Sequence, residues 1–148
     1  VSILATIGEE TSSDRVVSVA YELATAYGEP LVVLHVVPDE DFEAHKEAIE
    51  SVADFSDVSF EQEEDSAARY ARRVVKNRLD QFDETVVETR GRVGDPTDQI
   101  LAEADLLDAR FVVVGGRRRS PVGKALFGST TQEVLLGADC PVVTAMTD

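Results

Sequence analysis

The sequence predicts an α/β fold, a single doubly wound sandwich of three layers built on a mainly parallel sheet. Three observations carry that expectation. Short apolar runs rich in β-branched residues alternate with helix-period segments along the whole chain. The 148 residues suffice for one domain with a full core and no disulfide or metal staple. The stretch from Phe111 to Val134, FVVVGGRRRSPVGKALFGSTTQEV, reads as strand, glycine turn and helix N-terminus, an arrangement suited to a nucleotide phosphate.

Ser2 to Ile7 and Leu31 to Val37, the latter broken only by His35, have the composition of buried parallel strands. Between them Ser13 can cap a helix whose apolar residues Val16, Ala20, Leu23, Ala24 and Tyr27 keep helical spacing until Gly28 stops it. After Pro38 an acidic stretch to about Phe60, weakly periodic at Phe42, Ile49, Val52 and Phe55, predicts a short helix and a loop. A long helix follows from about Asp65 to Phe82, its apolar residues Ala67, Tyr70, Ala71, Val74, Val75, Leu79 and Phe82 interleaved with Arg69, Arg72, Arg73 and Arg78 as a solvated face.

The third strand is expected at Thr85 to Arg90. Gly94-Asp95-Pro96 then opens a helix carrying Ile100, Leu101, Ala104 and Leu107. Phe111 to Val114 is the fourth strand. Ser129 with Gln132 and Thr130 with Glu133 offer overlapping capping boxes for a last helix ending near Gly137, and Pro141 to Ala145 is the terminal strand. Sheets of this class bind ligands at the carboxyl ends of the strands where strand order reverses. With the first and fourth strands as central neighbours, Ile7-Gly8 and Gly115-Gly116 would face one crevice.

Fourteen basic residues against 29 acidic ones leave a net charge of -15. Such a field disfavours nucleic acid and anionic membranes, so any anion site must be local, and it suits a high-salt cytoplasm in which screening quenches self-repulsion. The lone Cys140 fits a reducing compartment and excludes a disulfide framework or a cysteine-based zinc site; it is expected to be an inert core residue. No apolar run approaches the roughly 20 residues of a membrane helix, and no signal segment opens the chain, so a cytoplasmic protein is expected. His35 and His45 are too far apart along the chain to suggest a metal site, and His35 is expected to be packed and hydrogen-bonded. No nucleophile elbow supports a triad of Ser129, His35 and an acid, and Gly123-Lys124 lacks a full phosphate loop motif.

These residues resemble the universal stress protein family from the first strand to the fifth. The family's nucleotide signature is Gly, two residues, Gly, nine residues, Gly, then Ser or Thr. Gly115 takes its first place and Gly128-Ser129 its last, with Arg118 replacing the second glycine. Leu34-His35-Val36 and Gly94-Asp95-Pro96 add to the match. The resemblance implies a Rossmann-like sheet in the order 3-2-1-4-5, a homodimer, and in one branch of the family ATP or AMP bound in the crevice, with Mg2+ accompanying ATP. It further implies that Val36 meets the adenine, that Val114 and Gly115 lie along the nucleoside beside Ile7, and that Gly128, Ser129 and Thr130 hold phosphates.

Two positions depart from the pattern. The acid that nucleotide-binding members carry after the first strand aligns with Gly8, leaving Glu9 or Glu10 to reach the ribose. At Arg118 two readings stand: a side chain crowding the phosphate path, or one of three consecutive arginines, Arg117 to Arg119, that grip phosphate oxygens. The terminal strand, placed at a sheet edge, would leave backbone groups unpaired. Dimerisation through Val142 to Met146 resolves that, in line with the pairing of fifth strands that the resemblance implies. The expected function is nucleotide binding by a dimeric stress-response module with no catalytic residues. The alternatives are a non-binding dimeric interaction module and a slow ATP-hydrolysing enzyme.

Overall fold

The computed structural model describes residues 1–8, 15–50, 60–117 and 127–147. Glu9, Glu10, Ser13, Val52, Phe55, Arg118, Arg119, Gly123 and Lys124, all invoked above, lie outside the described residues, as do the side chains of His45, Ile49 and Arg117. The elements are β1 (Ile3–Ile7), α1 (Val16–Tyr27), β2 (Leu31–Val37), α2 (Asp39–Glu50), α3 (Phe60–Arg78), a 3-10 turn (Glu84–Val86), β3 (Val87–Val93), α4 (Pro96–Leu107), β4 (Phe111–Arg117), α5 (Ser129–Gly137) and β5 (Val142–Thr147).

They form one five-stranded sheet in the order β3-β2-β1-β4-β5 with every neighbouring pair parallel. Because strand residues alternate between faces, β1 sends Ile3, Ala5 and Ile7 into one core with Val17 and Ala20 of α1 and Ala71 and Val75 of α3. Leu4 goes to the other, with Ile100 and Ala104 of α4 and Val134 of α5. Both faces of the central strands are therefore buried, which is why Leu31 to Leu34 read as an unbroken apolar run rather than an alternating one.

Local signals explain most boundaries. Gly28 takes a left-handed φ of 65° and closes α1 through bonds from the Gly28 and Glu29 amides to the Thr25 and Ala24 carbonyls. The N-cap position of α1 is Arg15, whose side chain makes no cap bond; its Nη1 donates instead to the Met146 carbonyl. Asp95 caps α4 by accepting from the Asp98 amide, with Pro96 in the first turn.

Four expectations need correction. α3 begins at Phe60 and ends at Arg78, so Leu79 and Phe82 follow the helix and reach the core from the turn beyond it. β3 starts at Val87, because Asp83 accepts from both the amide and the hydroxyl of Thr85 and winds that segment into the 3-10 turn. β4 continues to Arg117, so Gly115 and Gly116 are strand residues paired with Ala145 and Met146 rather than a glycine turn. The capping boxes do not form. Gly128 is the N-cap of α5 with no side-chain cap bond, Gln132 Nε2 donates to the Phe127 carbonyl, and Glu133 accepts from the Thr97 hydroxyl of α4.

Candidate nucleotide crevice

The pairing register shows where the sheet opens. β1 and β2 stay paired to Ile7 opposite His35, and β4 and β5 stay paired to Arg117 opposite Thr147. Between β1 and β4 the ladder ends earlier, at Ala5 opposite Val113. The two central strands thus part over Thr6-Ile7-Gly8 on one side and Val114-Gly115-Gly116 on the other, at the carboxyl edge where strand order reverses.

Side chains from the α3 face secure the β1 side of the opening. Buried His35 has Nδ1 3.0 Å from the Ile7 carbonyl, which puts the ring proton on that nitrogen. The Tyr70 ring lies 4.6 Å from the His35 ring, and its hydroxyl donates to the Gly8 carbonyl at 3.2 Å. Two successive carbonyls at the end of β1 are therefore held toward α3, away from the face where α5 begins. Sequence reasoning placed Tyr70 in the core and found His35 packed and hydrogen-bonded, as it is. No local pattern announces the bond from Tyr70 to Gly8, 62 residues distant.

On the other side, α5 starts over the end of β4. Thr131 in its first turn donates Oγ1 to the Gly115 carbonyl at 3.3 Å, and Val134 one turn later is fully buried with Leu34 and Val114. The first regular bond of the helix runs from the Gln132 amide to the Gly128 carbonyl, so the amides of Ser129, Thr130 and Thr131 precede the ladder, and among the described residues no side chain caps them. Gly128 and Ser129 are exposed and Thr130 is half-buried. A Cβ added to Gly128 would meet no atom within 4 Å, so open space adjoins the helix start. Gly116 has the opposite surroundings: a Cβ there would lie 2.9 Å from both Met146 Sδ and Phe127 Cε1, and its glycine lets the segment before α5 close over β4.

The structure therefore gathers Ile7, Gly8, Val114, Gly115, Gly128, Ser129 and Thr130 around one opening. Val36 joins them from β2, half-buried against the core shared by Val114 and Val134. Gly8 is exposed and offers no side chain where an acid would meet a ribose. Next to Val36 in the β2–β3 register stands Arg92, whose Nε lies 2.8 Å from Glu103 Oε1; Arg90 Nη1 lies 2.9 Å from Glu103 Oε2. Burial works to lower the Arg90 pKa, but hydrogen bonds to Glu88 and Glu103 outweigh it and hold the guanidinium above its usual value. These arginines are committed to the buried Glu103. Cys140 is half-buried, and that burial raises its thiol pKa, as an unreactive cysteine requires.

Among the described residues, no helix is long and apolar enough to cross a membrane. A model of the universal stress protein family matches residues 2–145. The chain is similar to a universal stress protein of Mycolicibacterium smegmatis (strain ATCC 700084 / mc(2)155), 46% identical over 57 residues that make up 38% of this chain and 44% of that protein, so the match spans less than half of the relative's length. Among solved structures it is similar to a universal stress protein from Archaeoglobus fulgidus, at 27% identity and a TM-score of 0.62, with 97% of this chain and 96% of that one covered. The structure of the Archaeoglobus fulgidus universal stress protein in complex with dAMP shares the fold at 23% identity and a TM-score of 0.57, covering 97% and 95% of the two chains. With the family model spanning nearly all of the sequence and the strand order in agreement, this chain belongs to the universal stress protein family.

Proposed function

We propose that the chain binds an adenine nucleotide, ATP or AMP, in the crevice between β1 and β4, and that it acts in the cytoplasm as a dimeric stress-response module rather than as an enzyme. The observation that carries this reading is the early end of the β1–β4 ladder beneath the uncapped start of α5. Phosphates would take the amides of Ser129, Thr130 and Thr131 at the positive end of the helix dipole. The adenine would lie against Val36, and Val114 and Gly115 would line the nucleoside. Magnesium accompanying ATP would neutralise part of the phosphate charge. The dAMP complex of the Archaeoglobus fulgidus relative supports an adenine ligand for the fold. β5 forms one edge of the sheet, which supports pairing of Val142 to Met146 with a second copy.

Calorimetric titration with ATP and AMP, with and without magnesium and in molar salt to screen a net charge of -15, tests the reading. One nucleotide per chain is expected. Gly128→Leu should weaken binding at least tenfold, a loss of about 1.4 kcal/mol, while leaving the fold intact because open space receives the side chain. Unchanged affinity in that variant would remove Gly128 from the site. A second reading, a dimeric interaction module without nucleotide, draws on exposed Gly8, which has no side chain to hold a ribose. A folded dimer that binds neither ATP nor AMP would favour it.

A further inference from the structure

Away from the crevice, the outer face of α3 concentrates positive charge in an acidic chain. Arg69, Arg72, Arg73 and Lys76 are all exposed and, with Ser66, line an open groove of about 460 Å³. Their spacing puts them on one stripe roughly 10 Å long, two turns of helix. None of the four makes an ion pair among the described residues, although Asp65 stands four residues before Arg69 and Asp80 four after Lys76. Arg90, Arg92 and Arg110, by contrast, each sit against a carboxylate. Neighbouring like charges on a helix repel, and among the described residues no carboxylate pairs with the stripe. One guanidinium has a platform: Arg73 Cζ lies 5.9 Å from the centre of the Tyr70 ring.

We propose that this groove is a second anion site, taking a ligand with two or more linked phosphate groups. Three of the four cations are arginines, whose planar forks accept phosphate oxygens in pairs, and cations on successive turns can serve adjacent phosphates. The groove volume falls within the usual range of small-ligand pockets, roughly 300–1,000 Å³. The net charge of -15 opposes the approach of a long polyanion or an acidic protein, while a compact ligand meets mainly the local field. None of its lining residues belongs to the crevice, although Tyr70, beneath Arg73, also donates to the Gly8 carbonyl.

The test is titration with sodium tripolyphosphate at constant ionic strength, followed by calorimetry and by the amide shifts of α3. Saturable binding at one ligand per chain, tighter than that of sulfate or orthophosphate, is expected. The combined variant Arg69→Gln, Arg72→Gln, Arg73→Gln, Lys76→Gln changes only exposed side chains and should lose at least tenfold in affinity, with an unchanged circular dichroism spectrum. Gly128→Leu should bind tripolyphosphate as before. ATP offered to Gly128→Leu separates the sources of the chemistry: binding as tight as tripolyphosphate indicates a nucleoside polyphosphate, and much weaker binding a bare phosphate chain. Equal affinity in the combined variant, loss of binding in Gly128→Leu, binding no tighter than sulfate, or tighter binding of hexaglutamate would each overturn the proposal, the last by assigning the face to an acidic protein.

Discussion

Gly91→Ala places a single methyl group where α3 crosses β3. An alanine Cβ at that position would stand 2.1 Å from the Glu64 carbonyl oxygen, 2.6 Å from Ala67 Cβ and 2.7 Å from the Ala68 amide nitrogen. Two of the three obstructing atoms are helix backbone, so no rotamer change relieves the overlap. The nearest gap must open from 2.1 Å to about 3.4 Å, which lifts this turn of α3 from the sheet by roughly an ångström. A gap of about 0.5–1 Å forfeits a quarter to a half of each dispersion contact, and the residues that lose contact include Ala67, Ala71 and Val75, all buried. Overpacking costs typically about 1–3 kcal/mol, and rigid obstruction puts this site at the upper end, near 3 kcal/mol. That is a large share of the roughly 5–15 kcal/mol that holds a domain folded. It should lower the melting temperature by roughly 6–12 °C. Urea denaturation followed by far-ultraviolet circular dichroism measures it. A Gly91→Ala loss below about 0.5 kcal/mol would refute the close-approach argument.

Other substitutions probe the electrostatics and the caps. Glu103→Gln keeps the shape but removes the charge shared by Arg90 and Arg92; because those side chains retain 22% and 31% exposure, the loss should fall short of the 3–5 kcal/mol of a fully buried pair, at about 1.5–3 kcal/mol, read from the denaturation midpoint. Glu29, whose Oε1 accepts from both Nε and Nη2 of Arg110, has its pKa lowered from 4.5, chiefly by that hydrogen bonding. A depressed carboxylate contributes stability that is present above its unfolded value and lost as pH falls through the folded one; Glu29→Gln should therefore flatten the stability profile below about pH 4.5, and an unaltered acid limb would contradict the pairing. Asp108 ends α4 with a φ of 48° and is exposed, so Asp108→Gly should raise stability by about 0.5–1 kcal/mol, and a lower denaturation midpoint would count against that cap.

The parts of this structure that were legible in the sequence are those set by apolar pattern and by single cap residues. Leu31 to Val37 announced a strand buried on both sides, Gly28 and Asp95-Pro96 announced helix ends, and family resemblance supplied the strand order. Legibility failed where a side chain answers a distant partner. Leu79 and Phe82 continue the spacing of α3 and are packed against the core, but they do so from a turn, since burial constrains side-chain position and not backbone conformation. The expected third strand, Thr85 to Arg90, lies two to three residues ahead of the observed Val87–Val93, where Glu103 meets Arg90 and Arg92 and α3 passes close to Gly91, contacts that no local pattern announces. The capping boxes failed for the same reason. Glu133 has a nearer partner in Thr97, and its removal leaves the start of α5 without a side-chain cap among the described residues.

That last substitution of partners ties the fold to the proposed site. A carboxylate folded back over the first turn of α5 would occupy the amides that an anion needs and would add negative charge beside them. By engaging Thr97, Glu133 instead joins the first turn of α4 to α5, and both helices begin at the carboxyl edge of the sheet. On the far side of the opening, His35 and Tyr70 draw the Ile7 and Gly8 carbonyls, which would repel a phosphate, toward α3. Among the described residues the crevice thus lacks an unpaired side-chain cation and relies on uncapped amides with acceptors turned away. What the described residues offer a phosphate depends on backbone position more than on charge, and that part of the binding would resist the screening that high salt imposes. The α3 groove draws mainly on the charge of four exposed side chains, and the same salt would weaken it.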